Sequence, residues 1–106
     1  CSQATSPMNY FFYKLLPPRP SFPRDMTEAE GTIMQEHFAY WLGLMRERKV
    51  VVVGPVLDPK GTYGIAVLEV EDESIARNIA SNDPAITSQA GFRFEVHSMI
   101  DAKVRP

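Results

Sequence analysis

The sequence predicts an α+β fold in which a four-stranded antiparallel sheet carries two helices on one face. Three observations predict it. Four short runs rich in β-branched and aromatic residues are set apart by turn signals. Two other stretches repeat apolar residues every three or four positions behind a good capping residue. The six segments follow one another in the order β-α-β-β-α-β.

The first strand is "NYFFYKLL", residues 9–16, with Phe11, Tyr13 and Leu15 on one face and Tyr10, Phe12, Lys14 and Leu16 on the other. "PPRPSFPRDM", residues 17–26, carries four prolines and reads as an extended loop. It is long for a strand-to-helix connection, which suits a lid over a cleft or an arm toward a second copy. Thr27 with Glu30 three positions on is a capping-box pattern, and the first helix is expected over Glu28 to Arg48. Its stripe is Met34, Phe38, Trp41, Leu44 and Met45, and Gly43 marks a possible close approach.

"KVVVVGPVL" predicts the second strand, ended or bulged at Gly54-Pro55. "DPKG", residues 58–61, is a turn, and "TYGIAVLEV" returns as the third strand of a hairpin. Asp72 caps a second helix whose inward residues are Ile75, Ala76, Ile79 and Ala80. "DPAITSQAG" is an irregular link, and "FRFEVHSMI" is the fourth strand, with Phe92, Phe94, Val96 and Ile100 inward. The tail "DAKVRP" reads as a surface extension.

This order is the ferredoxin-like pattern, in which both helices cover one sheet face and the other stays bare. Both faces of the third strand are apolar, with Ile65 and Val67 on one and Ala66, Leu68 and Val70 on the other. A bare apolar sheet face marks an interaction surface, and a symmetric homodimer packed sheet against sheet satisfies it.

Composition bounds the function. With 106 residues, 44% hydrophobic and 23% charged, the chain suits a single domain, expected over residues 8–106 behind a tether of residues 1–7. The net charge is −2, and Arg19, Arg24, Arg46, Arg48 and Lys49 flank different elements beside acids such as Asp25 and Glu47. That pattern argues against a nucleic-acid surface. No apolar run has the length of a transmembrane segment.

The single cysteine, Cys1, rules out a disulfide framework within the chain. Two readings of it stay open. Residues 1–7 are a remnant or extension ahead of a domain that begins at Met8, which leaves the cytoplasm as the expected location. Alternatively, Cys1 is the processed end of an exported lipoprotein.

The residue that does not fit is His37, which falls on the apolar stripe of the first helix between Met34 and Trp41. Alone, such a histidine is a core residue with one satisfied hydrogen bond. A chemical role needs a partner that holds its tautomer. Asp83 is the candidate, and it reads equally well as a cap with Pro84 opening a new short turn.

Other reactive patterns are weak. His97 lies on the fourth strand opposite its apolar face. The histidines and acids have no metal-site spacing, and no Gly-rich phosphate loop or dinucleotide fingerprint appears, so neither metal nor cofactor is expected. Cys1 has no neighbouring base, and Ser21, Ser74 and Ser98 have no triad context. Tyr13, Tyr40, Trp41 and Phe94 are core by default, with Tyr13 and Trp41 as the candidates to line a pocket for a planar ligand.

"EHFAYWLGLMRERKVVVVGPVLDPKGTYGIAVLEV" followed by "ARNIASNDPAI" resembles the YCII-related family, small bacterial proteins of the dimeric α/β-barrel superfamily. The markers are His37 in the first helix, Gly54-Pro55 after the second strand, a Gly-containing hairpin and Asp83-Pro84 after the second helix. The resemblance covers roughly residues 8–99. It implies a ferredoxin-like fold pairing into a dimeric barrel, a cleft between helix and sheet, and His37 with Asp83 as the catalytic pair. It adds Gly54 and Pro55 to the candidate substrate-binding residues.

The function expected on this basis is a small cofactor-free enzyme doing acid/base chemistry of isomerase or lyase type on a small cyclic organic substrate. The alternative is a non-catalytic module of the same fold that binds a small ligand or a protein partner.

Overall fold

A computed structural model describes residues 9–105. The expected tether over 1–7, with Cys1 and Met8, lies outside the described residues. The elements are β1 (Asn9–Leu16), α1 (Glu28–Arg46), β2 (Val50–Val56), β3 (Tyr63–Val70), α2 (Glu73–Ser81), α3 (Pro84–Thr87) and β4 (Arg93–Ser98). The strands form one sheet in the order β2-β3-β1-β4, and every neighbouring pair is antiparallel. This is the ferredoxin-like α+β arrangement, with β1 and β3 central.

Period-two alternation decides which side chains are buried. Phe11, Tyr13 and Leu15 of β1, Ala66, Leu68 and Val70 of β3, and Val96 of β4 face a common core. Trp41 of α1 and Ala76, Ile79 and Ala80 of α2 close that core from the helical side. The opposite face carries Phe12, Ile65 and Val67, all partly exposed. Phe12 stands across from Val67 on one side and His97 on the other. Among the described residues no helix is long and apolar enough to cross a membrane.

The local signals act as their chemistry dictates. The Thr27 hydroxyl accepts from the Glu30 amide at 3.1 Å, and the Glu30 carboxylate accepts from the Thr27 amide at 2.9 Å. The Asp72 carboxylate caps α2 by accepting from Ile75 N–H at 3.0 Å. In the 58–61 turn, Asp58 accepts from the Lys60 amide at 2.8 Å and Gly61 takes a φ of +144°, open to glycine alone at little cost.

Several expectations are corrected. α1 stops at Arg46, not Arg48, because Arg48 turns to a φ of +64° and the Lys49 amide returns to the Leu44 carbonyl. β2 continues through Gly54-Pro55, and its irregularity lies between Val50 and Val52. Proline is tolerated there because β2 is an edge strand, with one side of its backbone unpaired. Gly43 has open space where a Cβ would stand, so no close approach explains it. Phe38 is 40% exposed, because the buried line of α1 runs through Glu30, His37 and Trp41 instead. Ile100 is fully exposed because β4 ends at Ser98. The link after α2 contains the short helix α3.

The proline-rich segment folds back on the domain as successive turns, with Phe22 N–H to Arg19 carbonyl at 3.1 Å and Arg24 N–H to Ser21 carbonyl at 2.9 Å. Phe22 is buried and meets Phe92 edge-on, ring centroids 5.3 Å apart.

Candidate functional site

The site is built around Asp83, whose side chain is wholly buried at the turn between α2 and α3. A buried carboxylate must have its oxygens satisfied, and here four donors do so. Oδ1 accepts the Ala85 amide at 2.9 Å, which makes Asp83 the cap of α3 ahead of Pro84. Oδ2 accepts the Trp41 indole N–H at 2.7 Å and the Tyr13 hydroxyl at 2.8 Å. His37 Nδ1 lies 2.8 Å from Oδ2 and 3.0 Å from Oδ1. The two readings of Asp83, cap and imidazole partner, therefore coexist in one side chain.

Each donor arrives for a reason visible in its element. His37 and Trp41 are four residues apart on α1, so both project from the same helix face toward the α2–α3 turn. Tyr13 comes up from the inner face of β1, and its ring packs on Trp41 with centroids 4.6 Å apart. The pairing of His37 with Asp83 spans 46 residues of sequence.

Electrostatics follow from this enclosure. Burial pushes the Asp83 carboxyl up, but the His37 hydrogen bond and charge, with the Trp41 and Ala85 donors, hold it below the ordinary aspartate value on balance. Tyr13 is raised, chiefly by burial and then by the Asp83 charge, so it remains a phenol that donates. Tyr40 is raised for the same two reasons, and its hydroxyl donates to the Ile79 carbonyl at 2.7 Å. An ionised carboxylate only accepts, so the proton between His37 and Asp83 sits on Nδ1. Nε2 is then the ring nitrogen not committed to Asp83, and it has no hydrogen-bond partner among the described residues.

His37 lines a cavity of about 260 Å³. The walls come from α1 (Met34, Phe38), from β2 and β3 (Val53, Gly64) and from the proline-rich segment (Phe22, Met26). Among the described residues, Tyr13, Thr62 and Tyr63 are the other polar side chains that reach it, and the Tyr13 hydroxyl is turned to Asp83. No Lys, Arg, Asp or Glu among the described residues lines it.

Tyr13, Gly54 and Pro55 line the cavity, whereas Trp41 does not. Its indole is completely buried behind the His37–Asp83 pair and supplies a hydrogen bond to Asp83. His97 is exposed and pairs with Glu95 at 3.1 Å, away from this site. Among the described residues no three His, Cys, Asp or Glu side chains gather as a metal site would require.

One feature at the rim has no counterpart in the sequence reading. Arg19 of the proline-rich segment grips Glu30 of α1 in a fork, at 2.7 Å to Oε1 and 2.8 Å to Oε2. It also reaches Asp25 Oδ2 at 2.9 Å. The Arg19 contact, aided by the Thr27 amide, holds the Glu30 carboxyl down to about 2. A Glu in a capping box was legible; that an arginine eleven residues earlier would claim it was not.

No functionally curated protein matches the sequence. Among solved structures, a protein of unknown function from Nitrosomonas europaea, NE2512, is 13% identical with a TM-score of 0.48, over 96% of this chain and 99% of its own. A monooxygenase from the gene ActVA-Orf6 of Streptomyces coelicolor, solved with the ligand nanaomycin D, is 13% identical with a TM-score of 0.46, over 93% and 94%. The YCII-related domain matches residues 11–100, a span that holds α1, the cavity walls, Asp83 and all of β4. The chain belongs to the YCII-related family.

Proposed function

We propose that the protein is a small acid/base enzyme in which His37 moves a proton through Nε2 and Asp83 fixes the ring. The observation that carries this reading is a single arrangement: an imidazole held at Nδ1 by a buried carboxylate, on the wall of an apolar cavity. A neutral imidazole protonated at Nδ1 presents a bare Nε2, which is a base. After taking a proton, the ring is an imidazolium stabilised by the Asp83 charge. Returning that proton to another atom of the substrate completes an isomerisation. Where the carbanion instead expels a neighbouring leaving group with its electron pair, the imidazolium protonates the departing group and the step is an elimination. The substrate class is small, cyclic and organic, and the chain's own groups supply the chemistry without a cofactor. The working unit is a homodimer joined through the open sheet face.

A ligand-binding reading draws on one observation, that the His37 side chain is only 5% exposed. Deuterium exchange separates the two. In D2O, a panel of small cyclic ketones and phenols is followed by proton NMR for loss of the signal from the acidic C–H. The enzyme reading expects exchange that falls by about 10²–10⁴-fold in His37→Gln, the usual contribution of a general base. Exchange at the native rate in His37→Gln refutes it.

A further inference from the structure

We infer that the proline-rich segment, residues 17–26, is the specificity wall of the His37 cavity, held in place by Arg19, and that it selects an uncharged, largely apolar ligand. This rests on the cavity being the ligand site. Three independent features support it.

The first is position. Pro17, Phe22, Pro23 and Met26 all line the cavity, so the segment builds a whole side of it. Without that side, the space would be an open groove between α1 and the hairpin of β2 and β3. Phe22 is anchored deep against Phe92, whereas Met26 is 37% exposed and forms the lip beside the equally accessible Phe38.

The second is fixation. Connecting loops are ordinarily mobile, but this one is tied at both ends. At its stem, Pro18 and Pro20 sit against Gly91 and Gly61, where an added Cβ would lie 3.1 Å and 3.6 Å from their atoms. Gly91 also takes a φ of +99°, so a side chain there is refused by both backbone and space. Between those two prolines, Arg19 forks onto Glu30 and bonds Asp25, which ties the far end of the segment to the start of α1. Arg19 also stands over the Phe22 ring, 5.8 Å from its centre. A wall so fixed is ready before ligand arrives, so binding does not have to order it.

The third is chemistry. The segment contains two arginines, yet neither reaches the cavity. Arg19 is spent on Asp25 and Glu30, and among the described residues the walls hold no charged side chain except the imidazole when protonated. A carboxylate, phosphate or sulfonate entering this space would lose its water without gaining a cation. A neutral ring with one hydrogen-bonding group toward His37 loses nothing comparable.

Two dyes that differ only by a sulfonate test this: neutral N-phenyl-1-naphthylamine and anionic 8-anilinonaphthalene-1-sulfonate. Each is titrated into the full chain while fluorescence gives the affinity and the His37 ring signals in NMR report the place. The neutral dye is expected to shift His37, and the sulfonate to do so at least about tenfold more weakly. Met26→Ala is expected to weaken the neutral dye about five- to tenfold through lost apolar contact. Arg19→Gln is expected to weaken it about fivefold by loosening the wall. Met26→Ala lies at an accessible position, and Arg19→Gln breaks one surface clamp, so the fold is kept in both where Phe22→Ala would empty the core. Circular dichroism checks this for each. Equal affinity of all three proteins for a dye that does shift His37 overturns the wall while leaving the site. Equal binding of both dyes at His37 overturns the selection of uncharged ligands. If neither dye moves His37, the cavity is not a ligand site, and this inference falls together with the enzyme reading.

Discussion

Trp41 donates its indole N–H to Asp83 at 2.7 Å from one helical turn beyond His37, which meets the same carboxylate oxygen at 2.8 Å. The helix thus supplies both the ring to be oriented and a second donor that keeps the orienting carboxylate ionised and still. Tyr13 completes the enclosure from the sheet side at 2.8 Å. The sheet, α1 and the α2–α3 turn are thus joined through one side chain.

That enclosure predicts a stability cost without any change in cavity lining at Trp41. Trp41→Phe or Tyr13→Phe removes one donor from a buried charge, and each is expected to destabilise by about 1–3 kcal/mol. Asp83→Ala strands three buried side-chain donors together and is expected to cost about 3–5 kcal/mol. Urea unfolding followed by tryptophan fluorescence checks Tyr13→Phe and Asp83→Ala, and circular dichroism checks Trp41→Phe.

The rim clamp predicts an acid response. Glu30 is held down to about 2 from its ordinary 4.5, mainly by Arg19. A carboxyl with a lowered folded-state pKa stabilises the fold above its unfolded value and loses that contribution as pH falls through the folded one. The Glu30 contribution is therefore complete above about pH 4.5 and is lost between there and about pH 2. In Glu30→Gln the melting temperature should drop near neutral pH and then change less over the acid range than in the native protein. Parallel acid profiles would show that the clamp contributes nothing.

The open sheet face predicts association. Phe12, Ile65 and Val67 are partly exposed there, with Lys14 and Glu95 facing each other across β1 and β4. A second copy laid on this face would bury the apolar group. Sedimentation equilibrium is expected to give a dimer, and Phe12→Glu to give a monomer that keeps its secondary structure. A native protein that sediments as a monomer at all concentrations contradicts this.

The sheet and both long helices were legible because their signals are local. Alternation places Phe11, Tyr13 and Leu15 inward, Thr27 and Glu30 open α1 as a capping box, and Asp58 with Gly61 turns the hairpin. Errors fell where tertiary packing decides. Phe38 has the right spacing for burial, but the helix is rotated so that the polar His37 takes the buried place and Phe38 the lip. Ile100 fits the alternation of β4, yet the pairing of β4 with β1 ends at Ser98 opposite Phe11.

The candidate site was legible in its members more than in their roles. Trp41 reads as a pocket aromatic from sequence, and only the fold turns its N–H toward Asp83. A buried Tyr or Trp must find an acceptor, which was the available signal for both Tyr13 and Trp41. Asp83 alone is indistinguishable from a cap, and it is one. The Arg19 clamp left no periodic or motif trace, since nothing local ties an arginine among prolines to a glutamate in the next helix.

The most direct measurement is the tautomer of His37, read by long-range proton–nitrogen NMR on the uniformly nitrogen-15-labelled protein. An ionised Asp83 at 2.8 Å requires the proton on Nδ1 and leaves Nε2 bare, as the proposed base must be. The account predicts that form in the native protein and its loss in Asp83→Asn, whose amide can offer Nδ1 a proton instead. A native His37 protonated at Nε2 with Nδ1 bare would contradict it, because the nitrogen assigned to chemistry would then be occupied.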